Sequence, residues 1–206
     1  MLEAMLGRGA TASTKGQVAF TTPGTYQWVC PEGVTSICCV IISAGQSCTK
    51  VSTYFVGGYG GSLRYQNDIP VVPGETYTIV VGGPSLSLSL IVSNAFDMQA
   101  GGYNVGTPFS DKVKGGWGGA SGNGSNNGYG GFAGGYANGA SPGATGDNRC
   151  GDGTNLFGGK GTIGTVTLAG NYGGGGGGQY SLGARGAVRI IWGAGRAYPN
   201  IRVADE

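Results

Sequence analysis

The side chains able to do chemistry in this chain are few, and one type is missing. The 206 residues include no histidine. Every triad or proton relay built on an imidazole is therefore excluded. Asp147 and Asp152 flank Cys150 in the run Gly146-Asp147-Asn148-Arg149-Cys150-Gly151-Asp152. Their oxygens are of the hard kind that calcium takes, but the spacing fits neither the EF-hand loop nor the nine-residue calcium repeat. A polar turn accounts for the run, and no metal or cofactor is expected. Gly159-Lys160-Gly161-Thr162-Ile163-Gly164 matches G-x-G-x-x-G. It precedes a strand-like segment, 165–168, whereas the dinucleotide fingerprint opens a helix. With 47 glycines in the chain such a match is expected by chance.

The cysteines are Cys30, Cys38, Cys39, Cys48 and Cys150, an odd number that cannot pair fully within one chain. Cys38 and Cys39 lie in the apolar run 37–42 and should behave as small buried hydrophobes. With no Cys-x-x-Cys and no histidine, a zinc site is not expected. The pattern suits folding in a reducing cytoplasm, and a Cys48–Cys150 bridge is left open. Only 10 acidic residues are present, which argues against the paired carboxylates of a polysaccharide-cleaving enzyme. The chain is not expected to be an enzyme.

Binding is the better prospect. Phe96, Tyr103, Phe109, Asp111, Tyr136, Asn148 and Arg149 fall in three polar, glycine-punctuated segments. Aromatic rings supply contact area at low entropy cost, and neighbouring amides and charges supply direction. Such segments suit the recognition of a sugar or a protein loop. Nucleic acid is not an expected partner, because the net charge is only +2 and no basic stripe occurs.

These segments need elements to hold them. Most glycines fall between Gly101 and Gly186. Gly116, Gly119, Gly122, Gly128, Gly131 and Gly134 share one phase of a three-residue register, broken by Ser125 and followed by Ala137. Trp117, Tyr129 and Phe132 share a second phase. A period of three is the repeat of an extended polyproline II-type helix. Glycine lines the touching side of such rods because it has no Cβ to separate them. The 47 glycines and 8 prolines approach a low-complexity composition, but the 10% aromatic content is unlike that of disordered chains.

The remainder reads as strands. Residues 17–21 and 25–30 alternate around Pro23-Gly24, a hairpin signature. The run 35–43 is continuous and β-branched, as in a central strand buried on both faces. Segments 63–69, 75–81 and 187–192 are strands, the last returning to the N-terminal sheet. Alternating serine and leucine over 85–93 predicts a strand with one apolar face or a subunit contact. No helical periodicity appears. The expected fold is all-β, an antiparallel sandwich-like sheet combined with packed glycine-rich polyproline/polyglycine II rods. Four regions follow: an N-terminal arm 1–15, a strand module 16–100, a rod and loop region 101–186, and a closing strand with tail 187–206. The opening residues lack the basic and apolar regions of an export leader. Met1, Leu2, Met5 and Leu6 would serve as an anchor.

The stretches Phe20-Thr21-Thr22-Pro23-Gly24-Thr25-Tyr26-Gln27-Trp28, Val29-Cys30-Pro31-Glu32-Gly33-Val34 and Ile69-Pro70-Val71-Val72-Pro73-Gly74-Glu75-Thr76-Tyr77-Thr78-Ile79-Val80-Val81-Gly82 resemble the glycine-rich domain of tailed-phage virion proteins. The ending Gly186-Ala187-Val188-Arg189-Ile190-Ile191-Trp192-Gly193-Ala194-Gly195-Arg196-Ala197-Tyr198-Pro199 is similar to their C-termini, notably in cyanophages. The glycine region is similar in composition to T-even-type tail-fibre adhesins. The resemblance implies a virion structural protein, assembled in the host cytoplasm and exposed on the particle. It would be a fibre-tip or adhesin subunit, or alternatively a capsid-decorating or baseplate-peripheral protein. Its partners would be other virion proteins, copies of itself in a homotrimer, and a host-surface glycan or outer-membrane protein.

Overall fold

The computed structural model describes residues 15–47, 49–51, 54–56, 58–84, 89–93, 97–101, 108, 110, 112, 114–116, 123–124, 172–175 and 182–198. Among them are twelve strands and no helix. A five-stranded antiparallel sheet has the order β1 (Gly16–Phe20), β12 (Ala187–Trp192), β3 (Ser36–Ile42), β6 (Leu63–Pro70) and β10 (Lys114–Gly116). A four-stranded antiparallel sheet has the order β2 (Gly24–Val29), β7 (Thr76–Val81), β8 (Ser89–Val92) and β9 (Asp97–Ala100). A small third sheet joins β11 (Asn123–Gly124), β5 (Tyr54–Val56) and β4 (Thr49–Val51). The fold is an all-β sandwich, as the strand patterns predict.

Strand β3 explains its own composition. Ile37, Cys39 and Ile41 face the second sheet and share one core with Trp28, Ile69, Tyr77, Ile79, Ile91, Met98, Val188 and Ile190. Cys38, Val40 and Ile42 face the other way and pack with Leu63, Tyr65, Ala187, Ile191 and Tyr198. Successive side chains point to opposite faces, so a strand covered on both sides must be apolar throughout. Cys30, Cys38 and Cys39 are free thiols and buried, as the apolar run predicts for Cys38 and Cys39. Burial raises the pKa of all three, which keeps them protonated and unreactive. The closing strand β12 fits between β1 and β3, pairing Ile190 with both Val18 and Cys39.

Two expectations are corrected. Residues 17–21 and 25–30 do not form a hairpin. The turn after Phe20 carries the chain from one sheet to the other, so β1 pairs with β12 while β2 pairs with β7. Alternation identifies two strands but not their partners, and here one inward face on each strand is satisfied from opposite sides of the same core. In the serine–leucine segment the buried face carries Ser89 and Ile91, and Leu90 is only half-buried. The Ser89 hydroxyl compensates for its burial by accepting the Gly82 N–H at 3.0 Å. The chain turns at Glu32-Gly33 and at Pro73-Gly74. Val34 N–H donates to Pro31 C=O at 3.1 Å and Glu75 N–H to Val72 C=O at 3.1 Å. Gly33 and Gly74 supply φ of 77° and 80°, the left-handed position of a type II turn.

Of the three-residue glycine register, Gly116 lies in β10, opposite Leu63. The other members, with Trp117, Tyr129 and Phe132, lie outside the described residues.

Candidate functional site

The strand register gives the sandwich two ends. At one end Ile42, Leu63 and Ala187 lie side by side, and Gly24 faces Val81. Gly186 N–H donates to Gly82 C=O across the two sheets at this end, at 2.9 Å. At the other end Gly16 faces Trp192, Ser36 faces Pro70 and Val29 faces Thr76.

The first end is built from backbone. Segments 43–47, 58–62, 172–175 and 182–186 contain no strand, yet they are bonded into a closed ring. Ser43 N–H donates to Ser62 C=O (3.0 Å) and Gln46 N–H to Tyr59 C=O (2.9 Å). Gly61 N–H donates to Gly173 C=O (2.7 Å) and Gly173 N–H to Arg185 C=O (3.0 Å). Ala184 N–H donates to Gly174 C=O (2.8 Å), and Gly45 N–H to Ala184 C=O (2.9 Å) closes the circuit. The approach is so close that a Cβ on Gly45 would overlap the Gly174 carbonyl. One on Gly183 would overlap the Gly45 carbonyl, one on Gly61 that of Ser43, and one on Gly58 that of Gln46. Glycine is needed here for close approach, the role that the three-residue register assigns to rods. Half of the ring comes from the strand module, where Gly45 stands alone and Gly58 and Gly61 lie in the cluster Gly57-Gly58-Tyr59-Gly60-Gly61.

The ring also holds Gly101 and Gly173, which flank most of the glycine-rich region in sequence. Ser62 N–H donates to Gly101 C=O at 3.0 Å, and the Ser43 hydroxyl also donates to Gly101 C=O. The next residue back, Gly61, binds Gly173. Gly101 and Gly173 are thus held by two adjacent residues, and between them in sequence Lys114–Gly116 pairs with β6 and Asn123–Gly124 with β5. Tyr172 is steadied by the Arg185 guanidinium, 5.8 Å from its ring centroid, a cation–π contact.

The seven residues picked for binding, Phe96, Tyr103, Phe109, Asp111, Tyr136, Asn148 and Arg149, all lie outside the described residues. So do the anchor residues Met1, Leu2, Met5 and Leu6, the Cys48 and Cys150 pair, and Asp147 with Asp152. Their described neighbours are informative in one place. Pro108, Ser110 and Lys112 bracket Phe109 and Asp111 and are exposed, with Lys112 N–H donating to the Ser110 hydroxyl at 3.2 Å. Among the described residues no group of three or more metal-ligating side chains occurs.

The opposite end carries a feature that sequence reasoning missed. An open cleft of about 300 Å³ is lined by residues 35–38, Asp68 and 192–196. A bulge creates it. Ile37 pairs with Ile69 but Cys39 pairs with Gln66, so Asn67 and Asp68 together oppose Cys38. Asp68 adopts φ 54°, a left-handed conformation that aspartate tolerates better than most residues. The bulge turns Asn67 toward the C-terminal strap. Its amide donates to Tyr198 C=O at 2.8 Å and its oxygen accepts the Tyr198 N–H at 2.9 Å. The Cys38 thiol donates to Arg196 C=O at 3.4 Å. Arg196 in turn donates to Gly16 C=O at 2.9 Å and to the Gln17 side-chain oxygen. Arg189, fully buried, donates to the same Gln17 oxygen at 2.6 Å. Strap 193–198 thus ties β1, β3 and β6 together. The turn-forming pair Asn67-Asp68 inside an otherwise regular strand was the available signal for this bulge.

No protein-family model and no curated protein sequence matches the chain.

Proposed function

We propose that this chain is a structural protein of a tailed-phage virion, a tail-fibre tip or adhesin subunit. It binds a host-surface glycan or outer-membrane protein through loops that carry Phe96, Tyr103, Phe109, Asp111, Tyr136, Asn148 and Arg149. The observation that carries the proposal is the separation of the two ends. Lys15, where the N-terminal arm joins, lies beside Gly193 at the cleft end. Gly101 and Gly173, which flank most of the glycine-rich region in sequence, are bonded to the glycine ring at the other end. A subunit anchored at one end and presenting variable chain from the other is what a particle-mounted binder requires. The ring supports this role because backbone locked against backbone leaves an inserted segment a fixed point of departure. Loops held by a rigid scaffold are the usual location of recognition.

The test is adsorption. Labelled full-length protein should bind host cells, and soluble host lipopolysaccharide or purified outer-membrane protein should compete. Tyr103→Ala, Phe109→Ala, Tyr136→Ala and Arg149→Ala should each reduce binding with no change in the unfolding midpoint. Undiminished adsorption by all four would refute the assignment of the surface. Immunogold labelling of the capsid instead of the tail would favour the decorating role.

A further inference from the structure

We propose that β2 is a self-association edge, to which a second copy of the chain adds its own β2, antiparallel across a two-fold axis. The inference does not depend on the virion reading, since it uses only the strand and its neighbours.

The two large sheets have four outer strands, and three of them are defended against a further strand. β10 is three residues long and opens on Lys114. β9 is four residues long and opens on Asp97. β1 follows Lys15, and the Arg196 guanidinium donates to Gly16 C=O at 2.9 Å and to the Gln17 side-chain oxygen. Short length and charge are the usual protection of an exposed edge. β2 has neither. Its six residues, Gly24–Val29, carry no charge and no proline, and its register with β7 runs without a bulge. Among the described residues it pairs with β7 alone. Thr25, Gln27 and Val29 are exposed, Val29 to 57%.

The same three residues direct their backbone outward. Cys30 N–H donates to Glu75 C=O at 2.8 Å, and Cys30 C=O accepts the Gly74 N–H at 2.8 Å. Cys30 therefore turns its polar groups toward the β7 side. Successive residues of a strand turn theirs to opposite sides. Trp28 and Tyr26 thus share the direction of Cys30, and Val29, Gln27 and Thr25 present N–H and C=O to the open edge.

This pattern selects the occupant, because the strand is complementary to itself. With the axis through Gln27, that residue exchanges two hydrogen bonds with the second copy's Gln27. Thr25 exchanges two with the second copy's Val29, and Val29 two with its Thr25. Every outward group of the three is satisfied and no like charges meet. Thr25 against Val29 is a pair of β-branched side chains, which takes Val29 out of water. Tyr26 stands opposite the second copy's Trp28 at a non-hydrogen-bonded position, where side chains lie closer and aromatic pairs are favourable. The two four-stranded sheets become one continuous sheet. Such a contact is isologous and joins subunits in pairs, in contrast to the threefold association that the family resemblance implies.

The experiment measures the mass of the full-length protein by analytical ultracentrifugation across a dilution series. Wild type should pass from dimer to monomer as it is diluted. Gln27→Pro removes an outward N–H, a change that an edge strand tolerates where that group faces solvent. It should weaken the dimer roughly tenfold or more, since two hydrogen bonds per pair are lost, and leave the unfolding midpoint nearly unchanged. Gln27→Lys sets like charges directly opposite at the axis and should weaken the dimer about fivefold, less at high salt. Thr25→Lys combined with Val29→Glu places opposite charges across the contact and should retain the dimer. A wild type that is monomeric at every concentration, or an assembly whose mass is the same in Gln27→Pro and Gln27→Lys, would overturn the proposal. A sharply lowered midpoint for Gln27→Pro would also overturn it, by showing that this N–H belongs to the β7 ladder.

Discussion

The sandwich core and the glycine ring are two solutions to the same problem, joined at Ile42, Leu63 and Ala187. The core is held by side chains. Ile37, Ile41, Ile79, Ile91 and Ile190 are all about 1% exposed or less, and each fully buried aliphatic side chain contributes about 1.5–3 kcal/mol. The ring is held by the lack of side chains. Its backbones approach until carbonyl meets α-carbon, and hydrogen bonds join all four segments. The first region should be weakened by removing carbon and the second by adding it.

The largest effect is expected in the core. Ile41→Ala should cost about 2–5 kcal/mol in urea unfolding, because the cavity sits between two packed sheets and cannot collapse. A loss well under 1 kcal/mol would mean that the sheets are not in contact there. In the ring the opposite change is tested. Gly45→Ala should cost about 1–3 kcal/mol, the penalty of overpacking, since the obstructing atoms are backbone and cannot rotate away. A neutral Gly45→Ala would indicate a loose ring. A smaller loss is expected for Ser43→Ala. The Ser43 hydroxyl donates to Gly101 C=O and accepts the Ser62 N–H at 3.0 Å. Its removal should cost about 1 kcal/mol and speed amide exchange at Ser62 more than in β3.

The mildest contrast is in pH. Burial, helped by a hydrogen bond to the Glu75 carboxylate, pushes the Tyr77 hydroxyl up to about 12. An ordinary tyrosine ionises near pH 10, so the folded state holds this proton more tightly than the unfolded one. The contribution is complete below about pH 10 and lost as pH rises toward about 12. Buried Cys39 shifts in the same direction. The unfolding midpoint should fall across this window, and Tyr77→Phe should flatten part of the fall.

Much of the core was legible in the sequence, because side-chain type carries the information there. The continuous run through β3, the alternation in β7 and the β-branched closing strand β12 each state how many faces are covered. Strand pairing was less legible. Residues 17–30 read as a hairpin because alternation is blind to which sheet completes a strand. Ser89 read as outward because a hydroxyl with a buried N–H partner leaves no mark in a hydropathy pattern. The ring was legible only in part. The glycine register, apart from Gly116, lies outside the described residues; Gly58 and Gly61 belong to the cluster Gly57-Gly58-Tyr59-Gly60-Gly61, and Gly45 and Gly61 meet Gly173, Gly174 and Gly183 only through the fold. The cleft at Asp68 was missed for a related reason, since a bulge is defined by two strands and only one is visible in any local window.

The central claim is that backbone packing makes the glycine end as firm as the side-chain core. Residue-resolved hydrogen exchange at Gly45, Gly61, Gly173 and Ala184 tests it directly. All four amides donate within the ring, so they should exchange on the timescale of the β3 amides. Exchange at the rate of unstructured chain, with β3 still protected, would contradict the account.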